Sequence, residues 1–176
     1  MKGMNPFDPH KYGPVFTELL QIDRARSLGA GTPETSLRAA LDALTVVAAF
    51  AHAGVADEAM AKCCVSGTWL LCDYLDESHT ISQGIATPSG SFWHAIMHRR
   101  EGDFSNAKYW FRRVGGHPAY ERLADECGAD SWDPMAFVDA CQQAVRGGAE
   151  VERCRELQQR EWEMLFDYCY VAATES

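Results

Sequence analysis

His94, His98 and Glu101 recur at i, i+4 and i+7, the spacing that brings three side chains to one face of a helix. Imidazoles one turn apart can ligate a single ion, and a carboxylate one turn further on could complete the set. These three are therefore read as candidate ligands for a divalent metal. The same spacing also describes a solvated helix face, and the pattern is not His-Glu-x-x-His. The metal reading gains if His79 or Asp76 of the preceding helix packs alongside. By itself His79 falls at the edge of an apolar face, where a hydrogen-bonded structural histidine is the ordinary outcome.

A second group of ionisable residues lies on apolar stripes. Phe92, Trp93, Ile96 and Met97 share one helix face, and Arg100 points into it, four residues after Ile96 and three after Met97. Near the C-terminus, Cys154, Leu157, Met164, Leu165 and Tyr168 form another stripe with Glu161 in its middle and Gln158 at its flank. A buried charge needs a partner, so an Arg100–Glu161 ion pair fixing two helices is one expectation. The other is that both line a polar pocket and meet a ligand.

Arg99, Arg112 and Arg113 have the geometry to hold a carboxylate or phosphate bidentately. No glycine-rich phosphate loop accompanies them, and pairing with the abundant acidic residues is the simpler use. The face carrying Asp73, Asp76, Glu77 and Thr80 is read as solvent-facing or as a counter-surface to these arginines. Serine, histidine and cysteine are all present, yet no elbow motif places a nucleophile. The tryptophans read as core first.

The elements that must position these residues are helices throughout. Pro14 opens a segment, Val15 to Leu28, closed by Gly29, and Thr32-Pro33 reads as a cap followed by Pro at the first helical position. Further helices are expected over Leu37 to Ala53, over Glu58 to about Ser82 with an interruption at Gly67, and over Phe92 to Arg100 after a Gly/Pro/Ser loop spanning Gly84 to Gly90. Gly102-Asp103 turns the chain into Asn106 to Val114, stopped by Gly115-Gly116. Short helical turns around Tyr120 to Cys127, then Met135 to Val145 and Val151 to about Ala172, complete the series. No stretch alternates with period two, and no linker divides the chain. The expected fold is all-α, a single domain over residues 1–176, built as one bundle of about seven helices with stacked hairpins.

Within the Ser91–Pro118 hairpin, Gly102, Ala107, Phe111 and Val114 stand where a tetratricopeptide repeat keeps its helix-breaking Gly, close-packing Ala and two apolar residues. The hairpin resembles the back half of that repeat, although Pro118 arrives one residue early and His94 and Ala95 replace the preferred Leu and Gly. The segments Leu75 to Gln83, Phe92 to Pro118 and Arg160 to Tyr170 together resemble a family of uncharacterised all-helical proteins. That resemblance implies a shared fold and brings no activity with it.

Two functions fit these residues. The favoured one is a polar inter-helix pocket, drawn from Arg100, Glu161, His79, Arg99 and Arg113, that binds a small polar or anionic ligand with a divalent metal assisting. The alternative is a tetratricopeptide-like module that holds a protein partner without catalysis. A net charge of −9 argues against nucleic acid and anionic membrane as partners, even though five of the sixteen basic residues crowd into the hairpin. No apolar run approaches the roughly 20 residues that span a bilayer. Lys2 has no apolar core behind it, as a secretory signal would require, so a cytoplasmic protein is expected. Seven cysteines, an odd count with no Cys-x-x-Cys, do not suggest disulfides or a thiolate zinc site. The wide apolar faces of the Ala-rich helix would suit a homodimer.

Overall fold

Helix after helix follows from caps and breakers. In a computed structural model that describes residues 6–175, ten α-helices and no strand are present among the described residues. They are α1 (Gly13–Leu19), α2 (Arg38–Asp42), α3 (Val46–Ala49), α4 (Glu58–Leu71), α5 (Leu75–Ser82), α6 (Pro88–Glu101), α7 (Phe104–Val114), α8 (Pro118–Cys127), α9 (Pro134–Val145) and α10 (Val151–Thr174). The all-helical expectation holds. Residues 1–5, where the sequence argues against a secretory leader, lie outside the described residues. No helix among those described is long and apolar enough to cross a membrane.

The count rises above seven because tertiary contacts divide segments that sequence periodicity runs together. The helix expected over Val15 to Leu28 stops at Leu19. Residues beyond it are held as irregular chain by long-range donors. Arg24 Nε bonds Glu163 at 2.9 Å, and Gln158 Nε2 donates to the Ser27 carbonyl at 3.0 Å. The segment Leu37 to Ala53 splits into α2 and α3, because the Thr45 side chain accepts from the Ala48 N–H and starts a new helix there.

Gly67 does not interrupt α4. It lets α6 approach, since a Cβ at this position would come within 2.7 Å of the Trp93 ring. The break falls instead at Asp73, which adopts a left-handed φ of 64°. On the other side of α5, helix α6 begins four residues earlier than its apolar run suggests. Thr87 accepts from the Gly90 N–H, with Pro88 at the first helical position.

Helices α4 and α6 form the centre. Every residue from Ser89 to Arg100 is buried, because α5 and α7 flank α6 while α4 and α10 close the remaining sides. One apolar core runs from Tyr12 to Ala173, and a smaller cluster of Leu28, Phe137, Cys141, Ala144 and Cys154 sits between α9, α10 and the 20–34 segment. The α6–α7 turn is made by Gly102 at φ 93° and by Asp103, whose carboxylate caps α7. Ala107, Phe111 and Val114 are buried along α7.

Candidate metal centre

Covering α6 on both flanks turns a helix face that looks solvated into an interior one. His94 is only 2% exposed and His98 only 6%. Their Nε2 atoms face one another at 2.9 Å. His79, partly buried on α5, brings its ring to 4.6 Å from that of His94 and 5.3 Å from that of His98. The candidate ligand atoms of His79, His94 and His98 all lie within 4.8 Å of one another, the only such group among the described residues.

Proton placement follows from the partners. The Glu101 carboxylate lies 2.9 Å from His98 Nδ1 and is half exposed. It accepts the Nδ1 proton, which leaves the His98 Nε2 lone pair facing His94. Glu101 therefore stands behind the ring and orients it, the arrangement in which carboxylates support metal-bound histidines. The third side chain that faces His94 and His98 is His79 and not the expected Glu101. The Asn106 amide on α7 reaches His98 Nε2 at 3.0 Å. The Trp110 ring stacks on His94 at 4.1 Å.

Burial first, and then the nearness of His98 and His79, lowers the His94 pKa to about 3. The ring is thus neutral at physiological pH, the form that donates a lone pair to a metal. Its Nδ1 is buried with no hydrogen-bond partner among the described residues. A tetrahedral ion with metal–nitrogen bonds of about 2.0–2.1 Å would hold two imidazole nitrogens roughly 3.3 Å apart, so the 2.9 Å His94–His98 spacing would open by a few tenths of an ångström to take one.

The arginines part company with the sequence reading. Arg100 turns inward as expected, but its partner is Asp73, and it also donates to the carbonyls of Leu70 at 2.8 Å and Ser27 at 3.1 Å. Glu161 belongs to Arg99 instead. Both of their side chains are fully buried, with Arg99 Nη1 at 3.2 Å from Glu161 Oε1. The guanidinium also lies over the Phe137 ring at 4.6 Å.

The expected Arg100–Glu161 pair is thus not formed, because each acid takes the arginine on its own side of α6. A signal for Arg99 was present, since it follows Phe92 by seven residues and shares the stripe of Ile96. Asp73, read as solvent-facing or, by preference, as a counter-surface to the Arg-rich hairpin, does pair with that hairpin's Arg100, but inside the protein, where it is buried and also bonded to Arg26 and the Thr32 N–H. It leaves the helical face because α4 has already ended.

These pairings take Arg99, Arg100 and Glu161 out of any ligand pocket. They also remove Arg99 from the exposed surface expected of a partner-binding hairpin. Only Arg112 and Arg113 of that trio are exposed, with Arg113 lying 5.3 Å from the centre of the Trp110 ring.

A buried serine–histidine pair is wired against catalysis. His117 Nδ1 accepts from the Ala119 N–H at 3.2 Å while capping α8. Its proton is therefore on Nε2 and is donated to Ser89 Oγ at 3.0 Å, so the imidazole is no base for that hydroxyl. Nor does any thiol stand out as activated. Burial raises Cys72 and Cys141 to about 12, and Cys64 is raised for the same reason.

Burial lowers the His117 pKa from 6.5 to about 4. The unfolded chain takes up this proton first, so stability from His117 is complete above about pH 6.5 and is lost as pH falls towards 4. The loss should reach up to about 3 kcal/mol. His117→Asn keeps a capping acceptor and should flatten that part of a denaturation-versus-pH profile. Superimposable profiles for the two proteins would disprove the assignment.

Open depressions lie elsewhere. One of about 350 Å³ is lined by Val46, Val65, Ile81 and Ile85, and one of about 310 Å³ by Trp69, Asp76, Glu77 and Ile81. Neither borders the three histidines. No protein-family model, curated protein or solved structure matches the chain.

Proposed function

We propose that this chain is a metal-binding helical domain in which His79 of α5 and His94 and His98 of α6 hold a divalent transition ion. The observation that carries this reading is the convergence of three imidazoles from two helices, two of them almost fully buried, with His98 oriented by Glu101. Burying three imidazoles together has little structural return. His94 bonds only a like group, its Nδ1 has no partner, and apolar side chains would pack the same space. An all-imidazole set suits zinc, copper, nickel or cobalt and offers little to calcium or magnesium.

The test is a titration of chelator-treated protein with each of Zn²⁺, Co²⁺, Ni²⁺ and Cu²⁺, followed by thermal melting. A site filled at 100 times its dissociation constant adds about 2.7 kcal/mol, a rise of roughly 5–10 °C for a chain of this size. His94→Ala and His98→Ala should abolish the rise. If none of the four ions binds or stabilises the wild-type protein, the reading fails.

A further inference from the structure

The groove between α4 and α5 has two ends of opposite character. Lys62, Val65 and Trp69 recur at i, i+3 and i+7 along one face of α4, which sets Lys62 and Trp69 about 10 Å apart along the helix. Across the groove, Ile81 of α5 lines both open depressions. The depression at one end, of about 350 Å³, has apolar walls of Val46, Val65, Ile81 and Ile85, with Lys62 as its one charged residue. The depression at the other end, of about 310 Å³, sets Trp69 and Ile81 beside Asp76, Glu77 and Thr80.

A protruding apolar segment adjoins the Lys62 end. Val47 is 81% exposed, the most exposed large apolar residue among those described, and it follows the Val46 that walls the first depression. The whole stretch Ala43 to Ala56 holds no Lys, Arg, Asp or Glu, and Ala43, Ala48 and Ala51 are exposed with Val47. Apolar surface of this extent marks an interaction site. The net charge of −9 argues against an anionic membrane as its cover.

We propose that this groove binds a second copy of the chain across a two-fold axis at Ile81. Such an axis reverses the groove, so the Lys62 end of each copy lies on the acidic end of the other. Val47 then fills the depression walled by the partner's Trp69, and Lys62 meets the partner's Asp76.

The charges at both ends are free to do this. Lys62 bonds Glu58 at 2.7 Å across one exposed helical turn, a pair that contributes little. Glu77 is held by Arg38 at 2.7 Å, whereas the exposed Asp76 has no ion-pair partner among the described residues. A foreign partner would need an apolar knob beside a cation, set about 10 Å from an aromatic hollow beside a carboxylate. The chain's own surface supplies both in matching order, the self-complementarity that a two-fold interface requires. The interface shares no residue with the three histidines, so it stands or falls separately from the metal reading.

Sedimentation equilibrium of the purified protein from about 1 to 100 μM reads the association. Wild type should be dimeric at the upper end of that range. Val47→Asp, Lys62→Glu and Asp76→Lys should each weaken association by about 10-fold or more. Lys62→Glu combined with Asp76→Lys rebuilds the pair with its charges exchanged, and should return to within about 3-fold of wild type. All three positions are exposed, so each variant should melt within a few degrees of wild type.

A wild-type protein that stays monomeric at about 100 μM overturns the proposal. A dimer that none of the three substitutions weakens overturns it as well, since the contact then lies elsewhere. So does a charge-exchanged double variant that associates no better than the single ones.

Discussion

Glu161→Gln is expected to cost about 3–5 kcal/mol of stability, because it leaves the Arg99 guanidinium charged and unpaired in the protein interior. Neither side chain of the pair is exposed to solvent, and Glu161 accepts from both Arg99 terminal nitrogens. Among the described residues the only other acceptor within reach of Arg99 is Gln158 Oε1, at 3.5 Å, and Arg99 Nε has no partner. Cation–π contact with Phe137 offsets little of the loss.

The sign of the effect should reverse its logic in the double variant. Arg99→Met with Glu161→Leu removes both charges together and should recover most of the stability lost by either single change. Chemical denaturation of the two single variants and the double variant makes the comparison. A Glu161→Gln protein within 1 kcal/mol of wild type would show that the pair does not hold α6 to α10.

Asp73→Asn should produce the second large loss, about 3 kcal/mol or more, together with release of the 20–34 segment. Asp73 occupies a left-handed conformation that asparagine tolerates well, so the substitution changes charge with little backbone strain. What it removes is the negative charge and one of the two acceptor oxygens that serve Arg26, Arg100 and the Thr32 N–H. Arg100 is 3% exposed and would remain as a buried cation bonded only to carbonyls. With Arg26 freed, trypsin should cut near Arg24 and Arg26 faster than in the wild-type protein. Unchanged melting and unchanged cleavage would both contradict this account of the segment.

The two ion pairs also mark where reading the chain reached its limit. That Arg100 and Glu161 lie on inward stripes was legible, because helical periodicity acts over three or four residues. Which acid meets which arginine was not, since Arg99 and Glu161 are separated by 62 residues. Their meeting depends on how α6 and α10 are rotated against each other. Asp73 was misplaced for a related reason: one residue in a left-handed conformation ends α4 and turns its side chain inward, and no local pattern marks it.

The candidate metal centre divides in the same way. The sequence by itself determined that the chain is helical, that helices such as α4, α7 and α9 start at a capping Asp, and that His94 and His98 stand one turn apart. Those features depend on backbone hydrogen bonding and steric limits within a few residues. Only the tertiary structure decided that α5 and α7 cover that turn, that His79 joins it, and that Glu101 stands behind His98. Burial is set by which neighbouring helix lies across a face, and a face that polar residues mark as solvated becomes an interior site once two other helices close over it.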